Sequence, residues 1–176
     1  MSKPSLHLVT GNPNKLREFE EILDRKLETV EIDLPELQGT PDEIALEKAR
    51  LAYERTGKPC VVEDSALCFN ALDGMPGPYI KWFMKDLAKL PKMLDSFDDK
   101  SGSAICTICV ALSPTNRIIY KGVTHGRIVH PRGDGGFGWD PIFQPDGYDE
   151  TFGEMDAQTK NAVSHRRKAI EAMKDI

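Results

Sequence analysis

Leu6-His7-Leu8-Val9-Thr10-Gly11-Asn12-Pro13-Asn14-Lys15 is the stretch on which the fold turns. Residues 6–10 form a short apolar run that reads as a strand, and Gly11 and Asn12 break it. Asn12-Pro13 then supplies a helix N-cap with proline at the first helical position. Leu16, Phe19, Ile22 and Leu23 recur on one face at a 3.6-residue period, so a helix follows. The same alternation continues downstream. Val30, Ile32 and Leu34 alternate as in a strand, and Thr40-Pro41-Asp42-Glu43 is a capping box opening a helix to about Thr56. Residues 60–64 form a buried strand ending in the acids Glu63 and Asp64.

Beyond this point the pattern changes. Residues 71–78 form a Gly/Pro-rich loop, and helical patterns cover 79–90 and 92–97. Residues 103–112, 117–122 and 124–130 read as antiparallel strands, the first two joined at 113–116. A glycine-dense loop spans 131–141, and one last helix covers about 157–174, with Asp156 as its cap. Alternating strands and helices followed by consecutive strands argue an α/β fold, a mixed β-sheet with flanking helices in two lobes. With 176 residues, 40% of them hydrophobic and no internal repeat, the chain reads as one domain over 1–176.

Lys and Arg number 23 against 28 Asp and Glu, a net charge of −5. A duplex-binding domain carries a basic surplus, so no nucleic acid is expected as a partner. A small phosphorylated molecule stays open, because it needs only a few well-placed cations. No apolar run approaches the roughly 18 residues that span a bilayer, so no membrane is expected. The start, Met1-Ser2-Lys3-Pro4-Ser5, leads into too short an apolar run for a signal peptide, which makes a cytoplasmic location the expectation. Cys60, Cys68, Cys106 and Cys109 sit in apolar segments as free thiols would. Cys106 and Cys109 form a C-x-x-C, but on a strand they face opposite sides, which argues against a zinc or redox pair.

Several residues carry chemistry. Thr10, Gly11, Asn12, Pro13, Asn14 and Lys15 form a turn into a helix N-terminus, which favours an anion. Lys15 opposes the helix dipole there unless a negative ligand is present; an ordinary capped helix with a solvated lysine is the other reading. Lys48 lies near the middle of the apolar stripe of Ile44, Ala45, Ala49, Leu51 and Ala52. Either its stem covers the core while its head escapes, or its ammonium points at acids or phosphates in a cleft. Glu63 and Asp64 point to opposite faces of their strand, so one of them enters a site directly. With Glu36, in the loop after the second strand, they offer the one or two carboxylates that hold Mg²⁺ beside substrate phosphates. Phe137-Gly138-Trp139-Asp140-Pro141 offers either a stacking platform for a base or a plug for the core edge. Lys160, on nearly the same helix face as Ser164, and His165-Arg166 suit an oxygen-rich ligand or a solvated basic surface. His7, His125 and His130 show no metal-ligand spacing.

Thr-Gly-Asn-x-x-Lys at 10–15, Glu36 in Asp-Leu-Pro-Glu, Val-Glu-Asp-Ser at 62–65, Pro-Gly-Pro-Tyr-Ile-Lys-Trp-Phe at 76–83, Phe-Gly-Trp-Asp at 137–140 and Lys-Asn-Ala-Val-Ser-His-Arg at 160–166 resemble the inosine triphosphate pyrophosphatase family, most closely its eukaryotic members. The resemblance runs through essentially the whole chain, in order. It implies an elongated mixed sheet, two lobes around a nucleotide-binding cleft, and a homodimer. It also implies hydrolysis of ITP, dITP and XTP to monophosphate and pyrophosphate with Mg²⁺, for which Mn²⁺ substitutes. Residues 10–15 match the triphosphate-binding turn, Lys48 and Lys81 further nucleotide-contacting lysines, and Glu36 and Asp64 the metal-binding acids, with Glu63 a further candidate. Ser65 adjoins the acids in the binding strand. Phe137, Gly138, Trp139, Asp140, Lys160, His165 and Arg166 match the nucleoside pocket, with Ser164 beside it. Asp64 and Lys48 are the catalytic pair on this reading. His165 and Arg166 are the candidate donors to the 6-oxo group that distinguishes hypoxanthine and xanthine from adenine. A phosphatase releasing orthophosphate and a nucleotide-binding sensor without turnover are the alternatives.

Overall fold

A computed structural model describes residues 5–174 and 176; the reading of residues 1–4 as part of a leaderless start lies outside them. The strands are β1 (His7–Val9), β2 (Glu28–Val30), β3 (Cys60–Phe69), β4 (Pro76–Gly77), β5 (Ser101–Ala111), β6 (Arg117–Ile128) and β7 (Phe143–Pro145). The helices are α1 (Pro13–Leu23), α2 (Pro41–Thr56), α3 (Ile80–Phe83), α4 (Lys89–Lys92), α5 (Ala157–Val163) and α6 (His165–Met173). The strands form one mixed sheet in the order β2-β1-β3-β5-β6-β7, with β4 beside β3. The chain divides into two compact units: one takes the described residues through Asp64, Cys106–Gly122 and Arg166 onward, the other Ser65–Ile105 and Val123–His165.

In the first unit β1 is parallel to both neighbours, with Leu8 opposite Thr29 of β2 and Val61 of β3. Strand alternation then sorts the side chains into two layers. Val61, Cys106, Ile108 and Val110 join Leu8 and pack on Phe19 and Ile22 of α1 and on Ala169, Ile170 and Met173 of α6. Cys60, Val62, Cys109 and Ala111 pack on the other side against Ala45, Ala49 and Ala52 of α2. Cys106 and Cys109 thus face opposite layers, as the strand reading requires. The α2 capping box forms: Thr40 Oγ1 accepts from Glu43 N at 3.3 Å, and the Glu43 carboxylate accepts from Thr40 N at 2.8 Å.

The second unit is built round Leu67, Phe69, Ile80, Leu90, Leu94, Trp139, Ile142, Phe143 and Phe152. Here β3 pairs antiparallel with β4 and β6 with β7, Ile128 standing opposite Phe143.

Five boundaries differ from the sequence reading. β2 stops at Val30, because β1, its sheet neighbour, ends opposite that residue; Ile32 and Leu34 keep their alternating burial without a ladder. β3 does not stop at Asp64 but runs to Phe69, because Ala66, Leu67 and Phe69 are buried and β4 extends the ladder. Arg117–Ile128 is one strand rather than two. The region 79–97 holds only the single turns α3 and α4. Asp86 Oδ1 captures Ala88 N at 3.2 Å and Asp86 O captures Lys89 N at 3.1 Å, a local alternative to helix. The last helix breaks at Ser164, whose ψ is 154°. Thr124 Oγ1 donates at 2.8 Å to the Val163 carbonyl that a continuous helix would need for itself.

Candidate active site

The two acids of β3 lie mid-strand, and the period of two sends them to different helices. Asp64 lies with Cys60 and Val62 on the α2 side, where Lys48 Nζ donates to its Oδ1 at 2.8 Å. Glu63 lies with Val61 on the α1 and α6 side, where its Oε2 is 3.0 Å from Lys15 Nζ. Lys48 is 16% exposed at the side chain, so its ammonium is directed at an acid rather than escaping to solvent. Burial pushes the Asp64 carboxyl above its usual range, and Lys48 and Lys15 pull it back only in part. For Lys15, burial and the nearby Arg166 work to lower the ammonium, but Glu63 and Asp64 together outweigh them and the net shift is upward.

The turn before α1 is closed by its own side chains. Thr10 Oγ1 accepts from Asn12 N at 3.0 Å, and Asn12 Oδ1 accepts from Asn14 N at 3.0 Å and Lys15 N at 3.4 Å. This fixes the Lys15 backbone, while its ammonium reaches Glu63 Oε2. Gly11 and Pro13 are exposed.

Arg166 opens the first turn of α6 and is 1% exposed. Its Nη1 donates to Glu18 of α1 and its Nη2 to Glu63 Oε1 at 3.3 Å. Cys106 of β5 donates to the same Oε1 at 3.3 Å. Burial opposes the Arg166 charge, yet Glu63 and Glu18 hold its acidity below the ordinary guanidinium's. Glu18 escaped the sequence reading, although a signal existed: it adjoins Phe19 and lies one turn from Ile22 on the apolar stripe.

In the second unit Lys160, 3% exposed, donates to Asp140 Oδ2 at 2.6 Å, and the same oxygen accepts from Phe137 N at 2.9 Å. Lys160 Nζ sits 4.5 Å from the centre of the Phe137 ring. Trp139 is 6% exposed and belongs to the core, so it takes the plug reading, whereas Phe137 remains partly open. His165 lies 5.2 Å from the Trp139 ring and stacks on Phe152 at 6.0 Å, with its Nε2 3.4 Å from Ser65 Oγ. No sequence pattern marked Phe152. Ser164 is fully buried and Gly138 is exposed with φ +60°; Lys81 is exposed, 5.6 Å from the Trp82 ring centre.

Comparison with known proteins gives the chain its family. The Ham1 family profile matches residues 6–176. The chain belongs to the Ham1 family. It is 48% identical over 177 residues to an inosine triphosphate pyrophosphatase of the chytrid fungus Batrachochytrium dendrobatidis, covering 98% of this chain and 93% of that one. Among solved structures, a HAM1 protein from Coxiella burnetii superposes with a TM-score of 0.87 at 33% identity, covering 98% of both chains. A nucleoside-triphosphatase described as a dITP/XTP pyrophosphatase, from Mycobacterium abscessus, gives 0.76 at 30% identity, covering 97% of this chain and 99% of that one.

Ham1-family membership implies dependence on Mg²⁺. Among the described residues no three His, Cys, Asp or Glu side chains cluster as a ready-made metal cage. The residues fit this hard cation in the sparser form it prefers, one or two carboxylates completed by substrate phosphates. Asp64 Oδ2 is buried without a hydrogen-bond partner, and a metal ion is the kind of neighbour that satisfies such an oxygen. Glu36 is exposed in the segment after β2.

Proposed function

We propose that this chain is a nucleoside triphosphate pyrophosphatase that hydrolyses ITP, dITP and XTP to the monophosphate and pyrophosphate, and so cleanses the nucleotide pool. The observation that carries the residue assignment is the Lys48–Asp64 pair, a half-buried carboxylate held by an ammonium, with its buried second oxygen free of hydrogen bonds. A triphosphate near −4 needs cations, and Lys15, Lys48 and Lys81 supply them in a chain of net charge −5.

Asp64 accepts the proton of a water that attacks the α-phosphorus in line, while pyrophosphate departs. A carboxyl raised by burial is the better base for this, since its conjugate acid gives up the proton less readily. Lys48 keeps that carboxylate oriented and stabilises phosphate oxygens. Asp64 and Glu36 would hold Mg²⁺, which when bound neutralises charge on the phosphates. The turn of Thr10 to Lys15 cradles the triphosphate. Phe137 offers a ring face to the base, and Asp140 and Lys160 fix that ring's position. His165, stacked on Phe152, presents a donor to the 6-oxo group. Arg166 is assigned to the same recognition, although its terminal nitrogens donate to Glu18 and Glu63.

The chain works as one domain over 1–176 and as a homodimer on this reading, which the exposed Met75, Trp82 and Phe83 support. The free, buried Cys60, Cys106 and Cys109 suit the cytoplasm. Among the described residues no helix is long and apolar enough to cross a membrane. Phosphorus NMR of ITP, XTP, ATP and GTP with Mg²⁺ tests the function. Pyrophosphate from ITP and XTP alone is the expected result; orthophosphate with a nucleoside diphosphate, or binding without turnover, would refute it.

A further inference from the structure

Each of the two acids on β3 has one buried carboxylate oxygen without a hydrogen bond, Glu63 Oε2 and Asp64 Oδ2, but Glu63 Oε2 faces an ammonium, Lys15 Nζ at 3.0 Å. Glu63 is engaged on both sides of its carboxylate: Oε1 accepts from Cys106 Sγ at 3.3 Å and Arg166 Nη2 at 3.3 Å, and Oε2 faces Lys15 Nζ at 3.0 Å. Its side chain is 2% exposed. A buried carboxylate surrounded by one thiol, one guanidinium and one ammonium has its charge already compensated. Bringing a divalent cation onto it would press that cation against Lys15 and Arg166, a like-charge cost that a buried site screens poorly. Strand alternation adds a geometric reason, because Glu63 points to the layer opposite Asp64.

Resting on the pyrophosphatase reading above, we infer that Glu63 is a positioning residue for Lys15 and not a metal ligand, with Cys106 and Arg166 fixing Glu63 in turn. The cluster balances: Lys15 and Arg166 carry two positive charges, Glu18 and Glu63 two negative ones. A lysine on the first turn of α1 is repelled by the helix dipole, and the Glu63 carboxylate offsets that repulsion while no phosphate is bound. Lys15 is thereby held in one place rather than sampling the rotamers of a solvated lysine, so the entropy of ordering it is spent before substrate arrives. Cys106 contributes an uncharged donor, which orients Oε1 without altering the charge balance.

The test reads Lys15 directly, in the metal-free, nucleotide-free protein, from the ¹⁵N–¹H resonance of its ammonium. Wild type is expected to show a slowly exchanging Lys15 ammonium that disappears in Glu63→Gln; a signal unchanged in that variant would overturn the inference. Cys106→Ala and Cys106→Ser serve where Glu63→Gln fails to fold. Serine, which keeps a donor, should retain the signal that alanine weakens, and equal spectra for the two would remove Cys106 from the arrangement. The Mg²⁺ concentration for half-maximal activity should stay within about twofold of wild type in Glu63→Gln, while KM for nucleotide rises; a rise in that Mg²⁺ requirement of about tenfold or more would make Glu63 part of the metal site. Wild-type protein that releases no pyrophosphate would defeat the proposed function, yet the Lys15 resonance would still report on Glu63.

Discussion

Lys48 Nζ donates to Asp64 Oδ1 at 2.8 Å, across the gap from the second helix to the middle of the third strand. Burial raises the Asp64 carboxyl and the Lys48 charge lowers it, so removing the charge leaves burial unopposed on that face. Activity that needs the carboxylate rises with pH as the group ionises. Lys48→Met should therefore move the acidic limb of the kcat profile to higher pH, besides lowering the plateau. Asp64→Asn should lose about 10²–10⁴ in kcat with nucleotide binding largely retained. An acidic limb that stays in place in Lys48→Met would mean that another group sets it.

Base selection rests on donors aimed at a 6-oxo oxygen. Adenine presents a 6-amino group there, which leaves those donors unpaired at about 1–3 kcal/mol. His165→Ala is expected to compress the ratio of kcat/KM for ITP over ATP by about tenfold. Arg166→Ala should compress it as well, with a loss of stability because Glu18 and Glu63 lose their shared guanidinium. Ratios equal to wild type in both variants would take 6-oxo recognition away from these two side chains.

Gly136 is a backbone requirement of the Phe137 loop. It has φ +68°, and a Cβ there would lie 2.1 Å from Asp140 Oδ2, the oxygen that holds Lys160 and Phe137 N. Gly136→Ala should destabilise the protein by about 1–3 kcal/mol. It should also raise KM more than it lowers kcat, because it displaces the ring and not the acids. Thermal melts and steady-state kinetics on the same preparation check both halves; an unaltered melt would mean that the loop absorbs the methyl group elsewhere.

The buried thiols give stability a pH dependence. Burial pushes Cys60 and Cys109 up to about 11 from an ordinary 9.0. Below pH 9 both folded and unfolded chains keep these protons, so the thiols cost nothing. Above it the unfolded chain releases them first, and stability is lost as pH rises from 9 toward 11. At pH 10 the loss is about 1 kcal/mol for each thiol. Urea unfolding at pH 8 and 10 should show this loss, and the double variant Cys60→Ala, Cys109→Ala should show a smaller one; an identical loss in both proteins would place the titrating groups elsewhere.

Local rules carried most of the first unit, the end of β2 excepted. The Asn12-Pro13 and Thr40-Pro41 caps, the apolar stripes and the alternation along residues 60–64 are short-range signals, and the helices and layers they specify are present. The rule that neighbours on a strand face opposite ways was also enough to separate Glu63 from Asp64. It could not name Lys15 and Lys48 as their respective partners, because that depends on which helix covers which layer. The second unit was less legible. Its α3 and α4 are single turns stabilised by the side chain and carbonyl of Asp86, and its C-terminal helix breaks because Thr124, 39 residues earlier, takes the Val163 carbonyl. Phe152 stacks on His165 through a loop with no periodicity to betray it.

Hydrolysis of ITP in ¹⁸O-water with Mg²⁺, followed by phosphorus NMR, tests the central claim most directly. Attack at the α-phosphorus places the label in the monophosphate and leaves pyrophosphate unlabelled, which is the expected result. Label in the pyrophosphate, or release of orthophosphate with a nucleoside diphosphate, would contradict the account.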